Sequence, residues 1–266
     1  MQLASRRNWL QPILTCFIIL VCISAIGLLQ VPQLHRLQQQ SQTASVAEIQ
    51  QEVDAEAIRL TLLRNTPTFG FDNLIADWTF LSFLQYFGDE PARQKTGYRL
   101  SPDYFEVVLK RDPYFLQAYT FLSTSGSLYA ALPERSTQIM KQALASLKPN
   151  VPAGAYVAWR ELAIDQLLFL GDAQAAQQSF EMAAAWARQS SISGSDQIAV
   201  DSQQTASFLA QNPNSKTAQV AAWAMVLSNV ADDRTRKTAV DRIEALGGNI
   251  IPNPDGTVKI QLPSKD

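Results

Sequence analysis

The sequence predicts an all-α protein in which an N-terminal transmembrane helix precedes an α-solenoid of helix pairs and a small C-terminal β-hairpin. Three observations carry this prediction: an uncharged apolar run near the N-terminus, apolar residues at three- and four-residue spacing up to about residue 246, and strand-like segments only after it. Apolar residues at i, i+3 and i+4 share one side of a helix, whereas strands alternate with a period of two.

The chain divides into five predicted segments. In order they are an N-terminal flank (1–9), a transmembrane anchor (10–32), a membrane-proximal linker helix (33–66), a helical domain (67–246) and a C-terminal hairpin or tail (247–266).

The predicted anchor lies in a stretch from Trp9 to Gln33 that carries no charged residue. About 20 apolar residues in a helix span a hydrocarbon core of roughly 30 Å. A cleaved signal peptide is the alternative, but its apolar region normally has about 7–15 residues and a small-residue cleavage site follows it. We therefore expect one retained transmembrane helix over 10–32.

Basic residues near the anchor predict its orientation. Arg6 and Arg7 precede the anchor, whereas Arg36 follows it and the next basic residue is Arg59. Because loops rich in Lys and Arg stay in the cytoplasm, we expect a cytoplasmic N-terminus. The large domain then lies on the periplasmic or lumenal side of a single-pass membrane protein.

The predicted linker helix has an apolar seam that includes Ile49, Val53 and Leu60, and Pro67 ends it because the residue before a proline avoids the helical conformation. Pro and Gly residues divide the rest of the helical domain. The predicted helices cover 73–87, 101–111, 114–130, 134–147, 153–170 and 173–189, with two or more over 196–246 and a loop over 89–100.

The helix predicted over 73–87 is apolar on most sides, with Leu74, Trp78, Leu81 and Phe83 among its residues. A core helix is the simpler interpretation. Contact with a membrane surface or with a partner helix is the alternative, since a large exposed apolar patch marks an interaction site.

Helix pairs joined by short turns suggest a solenoid. Their spacing resembles the tetratricopeptide repeat, a 34-residue helix–turn–helix unit. The matching residues are Trp78, Leu81, Ser101, Phe105, Val108 and Pro113 in a first unit, Ala118, Tyr119, Leu122, Ala143, Leu144 and Pro149 in a second, Trp159, Leu162, Ala176, Phe180 and Ala183 in a third, and Trp223 and Ala239 in a weaker fourth.

The resemblance covers about residues 70–246 and implies a concave surface lined by the first helix of each pair. By repeat position, the predicted partner-binding residues are Gln117, Thr120, Thr124, Arg160 and Glu161. The run from Phe69 to Asp89 is also similar to the opening of membrane-anchored tetratricopeptide-like proteins of cyanobacteria. Several tetratricopeptide proteins of those organisms serve the assembly of photosynthetic complexes, so the resemblance implies that context.

Two β-branched runs, Asn249 to Ile251 and Thr257 to Leu262, flank a Pro-rich turn that contains Asp255-Gly256. Asp-Gly between such runs is typical of a β-hairpin. Because an isolated hairpin is marginally stable in water, we expect this one to pack on the last helices or on a partner.

Composition restricts the chemistry of the chain. It has 266 residues, 22 Lys and Arg against 24 Asp and Glu, one His and two Cys. Near-neutral charge argues against a nucleic-acid partner. His35 and the two cysteines, Cys16 and Cys22, provide little material for a metal site or a catalytic triad, so we expect no cofactor, no metal and no enzyme activity.

These patterns predict a membrane-anchored scaffold or assembly factor that binds a protein or peptide partner. The alternative is a permanent structural subunit of a membrane complex, with the aromatic helix over 73–87 as its fixed interface.

Overall fold

The computed structural model describes residues 13–22, 24–28, 30, 45–213, 216–228, 230, 232–252 and 258–263. The chain forms two compact units, Met1–Ser45 and Val46–Asp266. The described part of the second unit is mostly helical and ends in a two-stranded antiparallel sheet. The predicted helical class and the C-terminal hairpin are therefore confirmed.

The first unit is helical over residues 13–22 and 24–28, and every described side chain in these ranges is exposed apart from the half-buried position of Gly27. No helix within the described ranges combines the length and the apolar character needed to cross a membrane. Residues 10–12, 23, 29 and 31–32 of the predicted anchor, and residues 33–44 of the predicted linker helix, lie outside the described residues.

The described residues of the second unit form helices α1 to α11, two π-helical segments π1 and π2, and strands β1 and β2. In chain order they are α1 Val46–Asn65, α2 Asp72–Gly88, α3 Glu90–Thr96, α4 Ser101–Arg111, α5 Gln117–Leu122, π1 Ser123–Tyr129, α6 Pro133–Leu144, α7 Tyr156–Asp165, π2 Gln166–Leu170, α8 Ala173–Ala187, α9 Ser195–Gln211, α10 Lys216–Ser228, α11 Asp233–Ala245, β1 Asn249–Pro252 and β2 Val258–Gln261.

Neighbouring helices pack in pairs. Helix α2 packs on α4, the continuous helix formed by α5 and π1 packs on α6, and the one formed by α7 and π2 packs on α8. Helix α9 then covers α8, α10 pairs with α11, and α1 lies against α3 and α4. The first three pairs occupy the positions of the three predicted repeat units.

The loop predicted over 89–100 is wrong over seven of its residues, because helix α3 spans Glu90–Thr96. The side chain of Asp89 accepts a hydrogen bond from the backbone N–H of Ala92 at 3.3 Å and caps the helix. Pro91 fits the first turn, where a backbone N–H has no partner inside the helix. Helix α4, which begins at Ser101, has no side-chain hydrogen bond that caps its N-terminus.

The inward side of α2 differs from the one that the repeat pattern predicts. Trp78 and Leu81, which match the first-helix positions of the repeat, are 64% and 55% exposed. The side that packs on α4 instead carries Ala76, Thr79 and Phe83, all of them fully buried. Ala76 and Thr79 are small and let the helix backbones approach. When a helix is apolar nearly all round, the spacing of its apolar residues does not predict which side faces the core.

The predicted fourth unit forms the pair α10–α11, and this pair packs against the π-helical segments. Val220, Trp223 and Ile243 form a buried cluster with Phe169 of π2, and Leu128 of π1 packs on that cluster. The rings of Phe169 and Trp223 meet edge to face with their centroids 5.7 Å apart. A π-helix widens the helical turn, and here both π-helical segments end at this cluster.

The hairpin packs on the same cluster. Strands β1 and β2 pair in antiparallel register, with Ile250 opposite Ile260, and both of these side chains contact the cluster around Trp223. The expectation that the hairpin packs on the last helices is confirmed. Its turn, residues 253–257, lies outside the described residues.

The two sides of α2 predict different effects of mutation. Phe83→Ala removes a fully buried ring and is expected to lower the free energy of unfolding by about 3–5 kcal/mol. Trp78→Ala, on the exposed side of the same helix, is expected to change it by about 0.5 kcal/mol or less. Urea unfolding of the full chain in mild detergent measures both, and equal losses would contradict this assignment of the two sides.

Candidate partner-binding surface

An apolar strip runs along the outward side of α2. We define the α2 face as Phe71, Leu74, Trp78 and Leu81, with Leu84 at its edge; each of these five side chains is at least 39% exposed. The first four follow one another at intervals of three, four and three residues. Such spacing places them in one line along a helix and matches the seam that a second helix packs against.

The α2 face has the size of one side of a protein interface. Phe69, in the loop before α2, is 88% exposed and adds to it. Since aromatic side chains bury about 150–250 Å² each, the exposed fractions of Phe69, Phe71 and Trp78 alone leave roughly 300–550 Å² of surface open, and the three leucines add to it. A monomer's largest apolar patch is about 300–600 Å², whereas one side of a standard interface buries about 800 Å².

Helix α2 also contacts α5, through an aromatic pair on the side of α2 that faces away from the α2 face. Phe80 of α2 and Phe121 of α5 meet edge to face with their ring centroids 5.2 Å apart. Phe121 is itself partly exposed, at 37%. Helix α5 is joined in turn to α7 by the side chains of Thr120 and Glu161, whose hydrogen bond is 3.0 Å long. The exposed sides of α2, α5 and α7 together are the first-helix surface.

The five residues predicted to bind a partner lie on α5, π1 and α7. Thr120 donates its hydroxyl hydrogen to the carboxylate of Glu161, and this hydrogen bond restrains both side chains. Gln117 and Thr124 are exposed, and Arg160 is half-buried. Within the described part of the chain, the buried Nε of Arg160 has no hydrogen-bond partner. The five predicted residues include none of the apolar side chains of α2, a helix that the sequence analysis considered only as an alternative interface.

A buried carboxyl group joins the same helices beneath the surface. Asp165 of α7 has no exposed area. It accepts a hydrogen bond from the hydroxyl of Ser123 at 2.6 Å, and a second from Ser127. Both serines belong to π1, so this cluster fixes π1 against α7. The two serines were not predicted, because no short motif marks hydroxyl groups that meet a carboxyl across helices.

Burial raises the pKa of Asp165 to about 7, because removing the carboxylate from water penalises its charged form. The two serine hydrogen bonds act in the opposite direction, and the charge of Glu161 adds to the increase. Burial also raises the pKa of Glu161, against the hydrogen bond from Thr120 and the charge of Arg160. We therefore expect the contact between the second and third helix pairs to respond to pH.

Metal coordination needs several ligand side chains that converge. Within the described part of the chain, no group of three or more His, Cys, Asp or Glu side chains could hold a metal ion. Cys16 and Cys22 are free and exposed. The surface described above offers apolar contact and hydrogen bonds, which are the means of binding another polypeptide.

The raised pKa of Asp165 predicts the pH dependence of stability. In the folded chain this group binds its proton more tightly than in the unfolded chain, where its pKa is about 4. The stability it contributes is complete below about pH 4, decreases by up to about 1.4 kcal/mol per pH unit, and is lost once the pH passes the folded pKa. Asp165→Asn should flatten the unfolding free energy between pH 5 and 7.

Denaturant unfolding at several pH values measures this slope. Glu181→Gln, which changes an exposed carboxyl on α8, is the matched control and should retain the wild-type profile. A wild-type slope that persists in Asp165→Asn would assign the pH dependence to other groups.

Comparison of the chain with protein-family models, with curated proteins and with solved structures found no match. The resemblance to the tetratricopeptide repeat therefore remains a prediction from residue spacing.

Proposed function

We propose that the chain is a membrane-anchored scaffold or assembly factor that binds a protein partner on its first-helix surface. The α2 face is the observation that carries this proposal. Its apolar side chains lie outward on a helix whose inward side is already fully packed on α4. Leaving so much apolar surface in water is unfavourable, and a polypeptide that covers it removes that cost.

The proposed binding mode is that of a tetratricopeptide-like solenoid. Helices α2, α5 and α7 are the first members of three successive pairs, and side-chain contacts join α2 to α5 and α5 to α7. In a solenoid, such helices line a continuous binding surface. Apolar α2 would contribute most of the affinity, while Gln117, Thr124 and Arg160 would contribute polar contacts that select among partners.

The membrane anchor is the second part of the proposal. The apolar side chains described between residues 13 and 28 are exposed on all sides of their helix, with Phe17 at 65% and Leu20 at 66%. A helix that is apolar all round is suited to a bilayer. We infer a single anchor over 10–32, with a cytoplasmic N-terminus and the large domain on the periplasmic or lumenal side. A membrane complex is then the natural partner, and a photosynthetic one is the context that the sequence resemblance suggests.

A second candidate function is that of a permanent subunit of such a complex. The open area of the α2 face favours it, because soluble proteins rarely leave a patch of this size uncovered for their lifetime. The two functions differ in stoichiometry. A permanent subunit is recovered with its complex in a fixed ratio under gentle detergent, whereas an assembly factor is recovered in substoichiometric amounts with incomplete complexes.

Photo-cross-linking in native membranes tests the surface. With p-benzoylphenylalanine in place of Trp78 or Phe121, we expect one and the same protein to be captured. The same reagent in place of Phe208, which is 63% exposed on α9, should not capture it. Leu81→Asp should reduce capture at position 78 by at least about tenfold, since a charge in an apolar interface typically loses more than 1.4 kcal/mol.

Val200→Asp, which places the same charge at an exposed position of α9, is the control and should leave the yield unchanged. Equal capture at positions 78 and 208, or capture that Leu81→Asp does not reduce, would reject the first-helix surface as the binding site.

Charged substitutions test the anchor. The double variant Phe17→Arg, Leu20→Arg is expected to move most of the chain from the membrane pellet to the supernatant after alkaline extraction, because each Arg costs about 2.5–3.5 kcal/mol near a bilayer centre. Gln2→Arg, in the predicted N-terminal flank, is the control. A wild-type chain that is extracted as easily as the double variant would contradict the anchor. Protease digestion of the large domain from the cytoplasmic side would reverse the proposed orientation.

A further inference from the structure

Arg93 is a buried cation without a carboxylate partner. It lies on α3, only 4% of its surface is exposed, and no salt bridge involving it occurs among the described residues. One nitrogen, Nη1, donates to the backbone oxygen of Gly97 at 2.9 Å. The buried Nε has no hydrogen-bond partner among the residues that the structure describes. Burying an unpaired charge is strongly unfavourable. Binding of an anion to this guanidinium group would offset that cost.

The position of Arg93 is fixed by its neighbours. Its guanidinium lies over the ring of Tyr86 at 3.9 Å from the ring centroid. The Tyr86 hydroxyl also donates to the oxygen of Gly97, at 3.3 Å. Gly97 has a φ of +68°, and a Cβ atom there would overlap the side chain of Asp232. The Gly97 oxygen and the Tyr86 ring therefore hold the guanidinium in one orientation.

Arg93 lines a cleft of about 290 Å³ between α1, α2, α3 and α4. Two acidic residues also line it, and each is already engaged. Glu56 accepts two hydrogen bonds from Arg59, one of them 2.7 Å long, and a third from the hydroxyl of Tyr104 at 2.7 Å. Asp89 caps the first turn of α3. Both carboxylates are therefore occupied by groups other than Arg93, whose charge has no carboxylate partner within the cleft.

The cleft lies at one end of the α2 face. Gln85 is four residues after Leu81, on the same side of α2, and it also lines the cleft. A polypeptide that lies along Phe71, Leu74, Trp78 and Leu81 thus reaches Gln85 and the cleft at its end. A terminal or side-chain carboxylate on that polypeptide would supply the missing charge, and carboxylates form strong charge-assisted hydrogen bonds with guanidinium groups.

We propose that the cleft at Arg93 binds one carboxylate group of the polypeptide that covers the α2 face. This inference rests on the proposed function and specifies the partner: an apolar segment with a carboxylate at one end. Arg93 fixes the register of the segment, and the α2 face supplies the apolar contact.

Acetate is the probe for the cleft. With the full chain in detergent micelles at constant pH and ionic strength, replacing chloride with acetate should raise the unfolding midpoint by about 2–4 °C. Arg93→Met should remove this increase. The matched control, Arg99→Met, changes an exposed arginine that pairs with Asp54 outside the cleft and should retain it. No acetate-specific increase in the wild type, or an increase that persists in Arg93→Met, would overturn the proposal.

A second readout uses the wild-type chain and does not require Arg93→Met to fold. The Nε–Hε NMR resonance of Arg93, assigned through its own bonded atoms, should shift as acetate is added, and an unchanged resonance at saturating acetate would overturn the proposal. In native membranes, Arg93→Met should also lower photo-capture at position 78 by about tenfold. Acetate binding with unchanged capture would reject a polypeptide as the source of the carboxylate.

The outcomes separate this inference from the proposed function. Capture at position 78 without any response to acetate would reject the carboxylate site and leave the α2 face as a binding surface. Loss of the specific capture itself would reject the proposed function.

Discussion

Phe83 of α2 lies fully buried against Phe105 of α4, with the two ring centroids 4.6 Å apart, and this contact sets the orientation of α2. A helix that is apolar nearly all round gains from burial on every side, but a single layer of neighbours covers only one side. Once Ala76, Thr79 and Phe83 face α4, Leu74, Trp78 and Leu81 must face outward. The exposed α2 face is thus a direct consequence of how the first helix pair packs.

The other side of the helical domain is covered by charges. Arg135 of α6 forms a bidentate pair with Asp103 of α4 and also contacts Glu106, which in turn pairs with Arg64 of α1 at 2.7 Å. Partly exposed ion pairs of this kind add little stability, but they keep the surface over α1, α4 and α6 well hydrated. The domain therefore has one surface suited to water and one suited to another polypeptide.

The helices that carry the polar part of the first-helix surface are held together from within. Asp165, Ser123 and Ser127 form a closed hydrogen-bonded cluster between α7 and π1, and Thr120 and Glu161 form a second link nearer the surface. Hydrophobic packing tolerates many arrangements of two helices, whereas a buried carboxyl with two hydroxyl partners fits few. We infer that the cluster fixes the spacing of the helices that a partner would contact.

The extent to which sequence predicted this structure depends on how local each feature is. Pro133 and Pro149 marked the helix boundaries near them because proline acts on its own neighbourhood, and Asp255-Gly256 marked the hairpin. The inward side of α2 depends on residues far away in sequence, so the apolar pattern left open whether its large side chains are buried or face a partner. Arg93 gave no signal at all, since a lone arginine in a polar stretch normally predicts an exposed side chain.

The accessibility of position 81 tests most directly whether a partner covers the α2 face. In a chain with Cys16→Ser, Cys22→Ser and Leu81→Cys, a water-soluble maleimide should react readily with the purified protein and slowly with permeabilised native membranes. Phe208→Cys in the same background, on exposed α9, should react equally in both. Equal reactivity of position 81 in membranes and in the purified protein would contradict the account, because the α2 face would then be open to water where the protein works.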